Sequence, residues 1–184
     1  MLGHVVSRDC PPCETEYLPS HDAATRAQHM ADLYGFYRAF GVWPDGARPC
    51  RPDHVRLIVG FAGVLLTKLC EAATDRCASS AREHVEVCDD ALFQFLHDHA
   101  AWWLPTFARR VEELARVASR HGAVEDAALA ALAGVARSLR CWTAIERSAM
   151  GIDPARGIVH PMVREAESDL PDCNGCGTCS ALAD

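Results

Sequence analysis

The sequence predicts an all-α protein, a single-domain helical bundle that carries a cysteine-rich C-terminal tail. Apolar residues recur at three- and four-residue steps in long segments that glycine and proline separate, which is the pattern of amphipathic helices. Only residues 3–6 resemble a strand. A chain of 184 residues that is 49% hydrophobic also fits one ordinary globular domain.

The first two predicted helices flank a loop that contains three prolines. The first helix is expected to cover residues 22–41 and to end at Gly41, since glycine favours the left-handed conformation of a helix C-terminus. Its predicted apolar stripe comprises Met30, Leu33, Tyr34, Tyr37 and Phe40. The second helix has Pro52 at its first position and Asp53 as a favourable anion in its first turn. It reaches about Ala73 and is apolar on nearly all sides, which predicts a buried central helix.

Three further helices complete the predicted bundle. Residues 80–83 have the pattern of a capping box and open a helix that is expected to run to Leu104. Pro105 begins the next helix, which is expected to end at Gly122. The last helix is expected over residues 125–150. Its predicted apolar stripe comprises Leu129, Leu132, Val135, Leu139, Trp142 and Ile145.

The composition changes after the last predicted helix. Residues 1–151 form the predicted helical domain, whereas residues 152–184 are rich in proline, glycine and cysteine. Because the two termini of a domain often lie close together, we expect this tail to pack on or near the N-terminus.

The composition argues against several classes of function. The net charge of −7 disfavours a nucleic-acid partner and suits basic partners. The N-terminus lacks the basic segment and apolar core of a secretory signal. The longest apolar run, ten residues at 57–66, is shorter than the ~20 residues that cross a bilayer. We therefore expect a cytoplasmic protein with no membrane span.

Several common catalytic motifs are absent from the sequence. It has no H-E-x-x-H zinc motif, no P-loop and no dinucleotide-binding glycine motif. His97 and His99 could ligate a metal ion, but residues two apart on a helix point to different faces. We therefore expect a protein that is not an enzyme. A small metal- or thiol-dependent enzyme that uses the terminal cysteines is the alternative, and a regulatory or scaffolding module is a third possibility.

Closely spaced cysteines occur at both ends of the chain. In a cytoplasmic protein such thiols stay mostly reduced, which favours metal or redox chemistry over disulfides. The closely spaced thiols are those of Cys10, Cys13, Cys173, Cys176 and Cys179. Two C-x-x-C pairs can hold a tetrahedral Zn²⁺, and the triple spacing also resembles that of an iron–sulfur cluster. We predict a structural metal clasp between the tail and the N-terminus, with one cysteine left over; unligated thiols are the alternative.

Four segments together resemble one known family. They read CETEYLP, ADLYGFYRAFG, RPDHVRL and DHAAWWLPTFARR. Their combination is similar to the TorD/DmsD/NarJ-type redox-enzyme maturation chaperones, and the resemblance spans about residues 10–150. One departure is Cys50, which stands where family members commonly carry a glutamate shortly before Pro-Asp-His.

The resemblance implies an all-helical TorD-like chaperone in the cytoplasm. Its client would be the leader peptide or apo form of a molybdenum-cofactor oxidoreductase subunit of the DMSO-reductase type. The chaperone would assist cofactor insertion, folding and assembly before export. The client-binding residues that the resemblance implies are Asp53, His54, Asp98, His99, Trp103 and Pro105.

The third predicted helix carries charges that suit such a client. Leader peptides have an apolar stretch and often a twin-arginine motif, so a groove with an acidic mouth would bind them. The acidic residues are Glu83, Glu86, Asp89, Asp90 and Asp98, against a single Arg82. Beside them stand the aromatic residues Phe93, Phe95 and Trp103, on which an arginine could stack. A plain solvated helix face is the alternative.

Overall fold

The structure is a computed structural model that describes residues 9–19, 22–43, 50–74, 80–120 and 126–153. Within these ranges the chain forms five α-helices and no β-strand beyond an isolated bridge, so the predicted all-α class is confirmed. The helices are α1 (Ala23–Ala39), α2 (Val55–Thr74), α3 (Ala81–Phe95), α4 (Leu104–Arg120) and α5 (Asp126–Met150). A 3₁₀ turn at Glu14–Glu16 precedes α1, and a π-helical turn at Leu96–Ala100 follows α3.

The core lies where α1, α2, α3 and the π-helical turn meet. Phe61 of α2 is its central ring, and it contacts Phe36 and Tyr37 of α1, Phe40 just after α1, and Phe95 of α3. These ring centroids lie 4.8 to 6.4 Å apart in edge-to-face arrangements, which are favourable for aromatic pairs. Helices α4 and α5 pack along each other as a second helix pair.

The ends of α1 are those that the sequence predicts, but its buried face differs. The Asp22 carboxylate accepts a hydrogen bond from the Thr25 amide at 3.1 Å, and Gly41 adopts a φ of 70° after the helix. Leu33 and Tyr37 are buried as predicted. The prediction for Tyr34 is wrong: its side chain is exposed, and Phe36 packs against the core instead.

The start and the burial of α2 also require correction. The helix begins at Val55, so Pro52 and Asp53 belong to the preceding turn and Asp53 is not a first-turn anion. Its buried residues are Ile58, Phe61, Ala62 and Leu65. They define one buried face, whereas the sequence predicted burial on nearly all sides.

The predicted third helix is shorter than expected. It begins at Ala81 as predicted, but the Ser80 side chain makes no capping hydrogen bond within the described residues. The α-helical backbone ends at Phe95 and passes into the π-helical turn, so the predicted continuation to Leu104 is wrong. Helix α4 begins at Leu104, which places Pro105 in its first turn as predicted. Its predicted end at Gly122 lies outside the described residues.

Helix α5 ends where the sequence predicts, at Met150, and Gly151 follows with a φ of 67°. Its predicted stripe is wrong in part, because Leu132, Val135 and Ile145 are exposed. The buried residues of this helix are Leu129, Ala136 and Thr143. Beyond Gly151, Ile152 returns to the core. Residues 154–184 of the predicted tail, and residues 3–6, lie outside the described part of the chain.

Two of the helices are long and apolar enough to cross a bilayer by length and composition alone. They are α2, Val55–Thr74, and the Ala127–Met150 part of α5. The core helix of a water-soluble protein passes the same test, and α2 supplies part of the aromatic core. The absence of a membrane span therefore stays a prediction.

Candidate functional site

The N-terminal segment, residues 10–18, docks against the turn that precedes α2. The Glu14 amide donates to the Asp53 carbonyl oxygen at 2.9 Å, and the Val55 amide donates to that of Pro12 at 2.8 Å. Cys13 and His54 form an isolated antiparallel bridge between the two stretches. The backbone thus holds the segment in place and fixes the positions of its side chains.

Asp53 is the anchor of this docking. Its carboxylate is fully buried and accepts hydrogen bonds from the Thr15 hydroxyl at 2.7 Å and the Thr15 amide at 3.2 Å. The Arg51 guanidinium donates to both carboxylate oxygens, at 2.8 and 3.0 Å. A bidentate arginine contact is among the stronger hydrogen-bonded ion pairs, so the buried charge of Asp53 is compensated.

Glu14 supplies a second buried carboxylate, and this one belongs to the N-terminal segment itself. Its Oε1 atom lies 3.3 Å from Nδ1 of His99 on the π-helical turn and 3.4 Å from Nδ1 of His29 on α1. Its Oε2 atom is buried and has no hydrogen-bond partner among the described residues. The contact with Glu14 raises the pKa of His29 above its usual value. Neither Glu14 nor His29 was predicted from the sequence to be a site residue.

Trp103 packs against the N-terminal segment through Tyr17. Its indole is fully buried, and Nε1 donates to the His99 carbonyl oxygen at 2.7 Å. Its ring lies 5.2 Å from that of Tyr17, centroid to centroid, and the Tyr17 hydroxyl donates to the Pro11 carbonyl oxygen at 3.0 Å. The structure therefore brings together three of the six predicted client-binding residues, Asp53, His99 and Trp103. Burial leaves them almost no surface for a peptide to touch.

The other three predicted residues lie nearer the surface. Asp98 is exposed and its carboxylate lies 2.6 Å from Nδ1 of His97. His54 is half-buried, burial lowers its pKa, and its Nδ1 accepts a hydrogen bond from the Arg56 amide at 3.1 Å. Pro105 is also half-buried. Client contact by any of the six residues stays a prediction.

The acidic face of α3 is exposed. It comprises Glu83, Glu86, Asp89 and Asp90, and it is followed by exposed Asp98 on the π-helical turn. Val87 and Phe93 are also exposed, at 55% and 41%. Residues three and four apart share a helix face, so these apolar side chains stand next to carboxylates. The other two aromatic residues expected here, Phe95 and Trp103, are buried in the core and present no ring for an arginine.

An open groove of about 410 Å³ borders this acidic face. It is lined by Ala39, Phe40, Lys68, Glu71, Ala72, His84, Val87 and Cys88. Val87, one helical turn after Glu83, lines this groove, so the groove adjoins the acidic face. A second groove, of about 380 Å³, lies between α4 and α5. None of the six predicted client-binding residues lines either groove.

The N-terminal cysteines are buried thiols. Cys10 and Cys13 are 9% and 4% exposed. Burial raises the pKa of Cys10 to about 11 and that of Cys13 to about 12, so both are protonated at neutral pH. Cys173, Cys176 and Cys179 lie outside the described residues, so the metal clasp stays a prediction.

The clasp predicts one thiolate-bound zinc ion or iron–sulfur cluster in anaerobically purified protein. A Cys10→Ala/Cys13→Ala double variant is expected to lose it, as measured by elemental analysis and visible absorption. Because metal binding displaces thiol protons, the occupancy should rise with pH. The exposed pair Cys70 and Cys141 provides the matched control, whose double alanine variant should keep the metal. Equal metal content in both double variants would contradict the clasp.

The fold and these surfaces define an all-helical protein with an exposed acidic face on α3. A family model described as nitrate reductase delta subunit matches residues 2–109. Because the match covers more than half of the chain, this protein belongs to the nitrate reductase delta subunit family, which confirms the resemblance noted above. The family is one of redox-enzyme maturation chaperones. No curated protein and no solved structure gives a significant match.

Proposed function

We propose that this protein is a cytoplasmic chaperone for a molybdenum-cofactor oxidoreductase subunit of the DMSO-reductase type. It binds the leader or apo form of that subunit, assists cofactor insertion, folding and assembly, and does not itself catalyse a reaction. Membership of the nitrate reductase delta subunit family carries this proposal. The matched residues include the N-terminal segment, α1, α2, α3 and the start of α4.

The acidic face of α3 and the adjoining groove are the proposed binding surface for the leader. The carboxylates of this face suit leader arginines, and Val87 and Phe93 offer apolar contacts beside them. Phe40 and Val87 extend the apolar contact surface into the groove. In this assignment exposed side chains contact the leader. The buried residues of the motif, Asp53, His99 and Trp103, hold the N-terminal segment in place.

A charge-neutralising variant of the acidic face tests this assignment. Glu86→Gln/Asp90→Asn should weaken binding of a synthetic peptide that carries an Arg-Arg pair and an apolar stretch by about threefold to tenfold at low salt. Each exposed ion pair contributes about 0.2–1 kcal/mol, and salt screens it. Calorimetric titration at several ionic strengths should show a shallower salt dependence for the variant than for the wild type.

The matched control is Asp32→Asn/Glu113→Gln, which removes the same charge from exposed positions on α1 and α4. It should bind the peptide as the wild type does. Equal losses in both double variants would show that only the net charge matters, and an affinity that is flat with salt would exclude the carboxylates as the contacts. Co-purification of an oxidoreductase catalytic subunit with the wild type tests the chaperone role itself.

A further inference from the structure

The buried Glu14 carboxylate faces two imidazoles through its Oε1 atom, while its Oε2 atom has no hydrogen-bond partner in the described structure. Glu14 is contributed by the 3₁₀ turn, His29 by α1 and His99 by the π-helical turn. One donor atom from each of the three residues can be chosen so that all three lie within 4.8 Å of one another. Three separate parts of the chain thus bring potential metal ligands close together.

The spacing of these atoms suits a tetrahedral metal ion. With Zn–N and Zn–O distances of about 2.0–2.2 Å, two ligand atoms of a tetrahedral zinc site lie about 3.3–3.5 Å apart. The Glu14 Oε1 atom lies 3.3 Å from His99 Nδ1 and 3.4 Å from His29 Nδ1. These two distances fit a tetrahedral ion as they stand, and the two imidazole nitrogens, which lie within 4.8 Å of each other, need only a small side-chain adjustment to join them.

The neighbouring carboxylate shows what Glu14 lacks. Asp53 and Glu14 are both fully buried, and both are held by the docking of the N-terminal segment. Asp53 receives donors on both oxygens and a guanidinium charge from Arg51. Glu14 has a buried Oε2 atom without a hydrogen-bond partner in the described part of the chain. Buried polar atoms normally have a hydrogen-bond partner or bind a metal ion, so the unpartnered Oε2 atom points to a ligand at this carboxylate.

We propose that Glu14, His29 and His99 bind one divalent transition-metal ion, with Zn²⁺ as the ion that their donor set and spacing fit. Two imidazoles and one carboxylate leave a fourth coordination position open for water or another ligand. The His29 side chain is 26% exposed and that of His99 is 3% exposed, so the ion enters past His29. Phe36 and Phe95 pack against the His99 ring and fix its orientation. The bound ion would link the N-terminal segment to α1 and the π-helical turn.

Titration of the metal-stripped, full-length protein with Co²⁺ tests the proposal. A site made of nitrogen and oxygen ligands gives visible d–d bands without the intense sulfur-to-cobalt charge transfer of a cysteine site, so it is distinguished from the terminal cysteines. Zn²⁺ should displace Co²⁺ from the site and raise the melting temperature. His29→Gln, at a partly exposed position, and the isosteric Glu14→Gln should each weaken Co²⁺ binding at this site at least tenfold.

His97→Gln is the matched control, because His97 is next to the cluster in sequence but pairs with Asp98 outside it. This variant should keep the cobalt spectrum and the stabilisation by Zn²⁺. If Glu14→Gln does not fold, His29→Gln decides the matter alone. Wild-type cobalt affinity and spectrum in His29→Gln, or a wild-type spectrum with sulfur bands only, would overturn the proposal.

Discussion

Replacing Trp103 by alanine is expected to lower the free energy of unfolding by about 3–5 kcal/mol, the usual cost of deleting a large aromatic side chain from a core. The indole is fully buried and packs against Tyr17 of the N-terminal segment. The variant also leaves the His99 carbonyl oxygen without its 2.7 Å hydrogen bond. Small domains have a free energy of unfolding of only about 5–15 kcal/mol, so this loss would remove a large part of it.

Urea denaturation followed by circular dichroism measures this effect as a lower midpoint at an unchanged slope. Trp103→Phe keeps a ring but removes the donor, and it should cost less than the alanine variant. Trp102→Ala is the matched control, because Trp102 is only half-buried and should also be less costly. An alanine variant of Trp103 with the wild-type midpoint would contradict a core role. Trp103 would then be a candidate for client contact, as the family resemblance implies.

Both ends of α1, the start of α4 and the end of α5 were predictable because local residues determine them, unlike the start of α2 and the end of α3. The Asp22 cap and the glycines at 41 and 151, which have positive φ, act within one turn of the helix. The proline in the first turn of α4 acts in the same way. Such signals depend on a few neighbouring residues, so they can be identified in the sequence without knowledge of the tertiary packing.

The buried faces of the helices were less predictable, because packing partners decide them. In α5 only part of the predicted stripe is packed: Leu129 is buried, and Leu139 and Trp142 pack against the core. The face with Ala136 and Thr143 is buried, while Val135 and Ile145 remain exposed at 68% and 65%. The π-helical turn at Leu96–Ala100 was also missed, since no glycine or proline marks it. This turn buries His99 and leaves Asp98 exposed.

The residues of the candidate site also fall into two groups, those that the sequence could indicate and those that only the structure shows. The resemblance to the family pointed to Asp53, His99 and Trp103, which the structure brings together around the N-terminal segment. His29 could have been found from periodicity, because it precedes Leu33 by four residues and Tyr37 by eight, on the buried face of α1. Glu14 could not, since only the docking of its segment shows that its carboxylate is buried.

Replacing Asp53 by asparagine is expected to lower the free energy of unfolding by about 2–4 kcal/mol. The neutral asparagine side chain can still accept hydrogen bonds from the Thr15 backbone N–H and hydroxyl. It carries no negative charge, however, to balance the guanidinium of Arg51. Because the Arg51 side chain is 42% exposed, water compensates part of the lost ion pair, so the loss falls below that of a fully buried pair. Urea denaturation measures the loss, and limited proteolysis should show faster cleavage near the N-terminal segment.

Asp98→Asn is the matched control, because Asp98 is an exposed carboxylate of the same predicted motif whose ion pair with His97 should contribute less than about 1 kcal/mol. The two variants also separate the two roles that the motif could have. If Asp53 holds the N-terminal segment, its variant loses stability first and binds leader peptide normally while it stays folded. If Asp53→Asn keeps the wild-type stability but loses peptide affinity, Asp53 contacts the client and the structural role assigned to its hydrogen bonds is wrong.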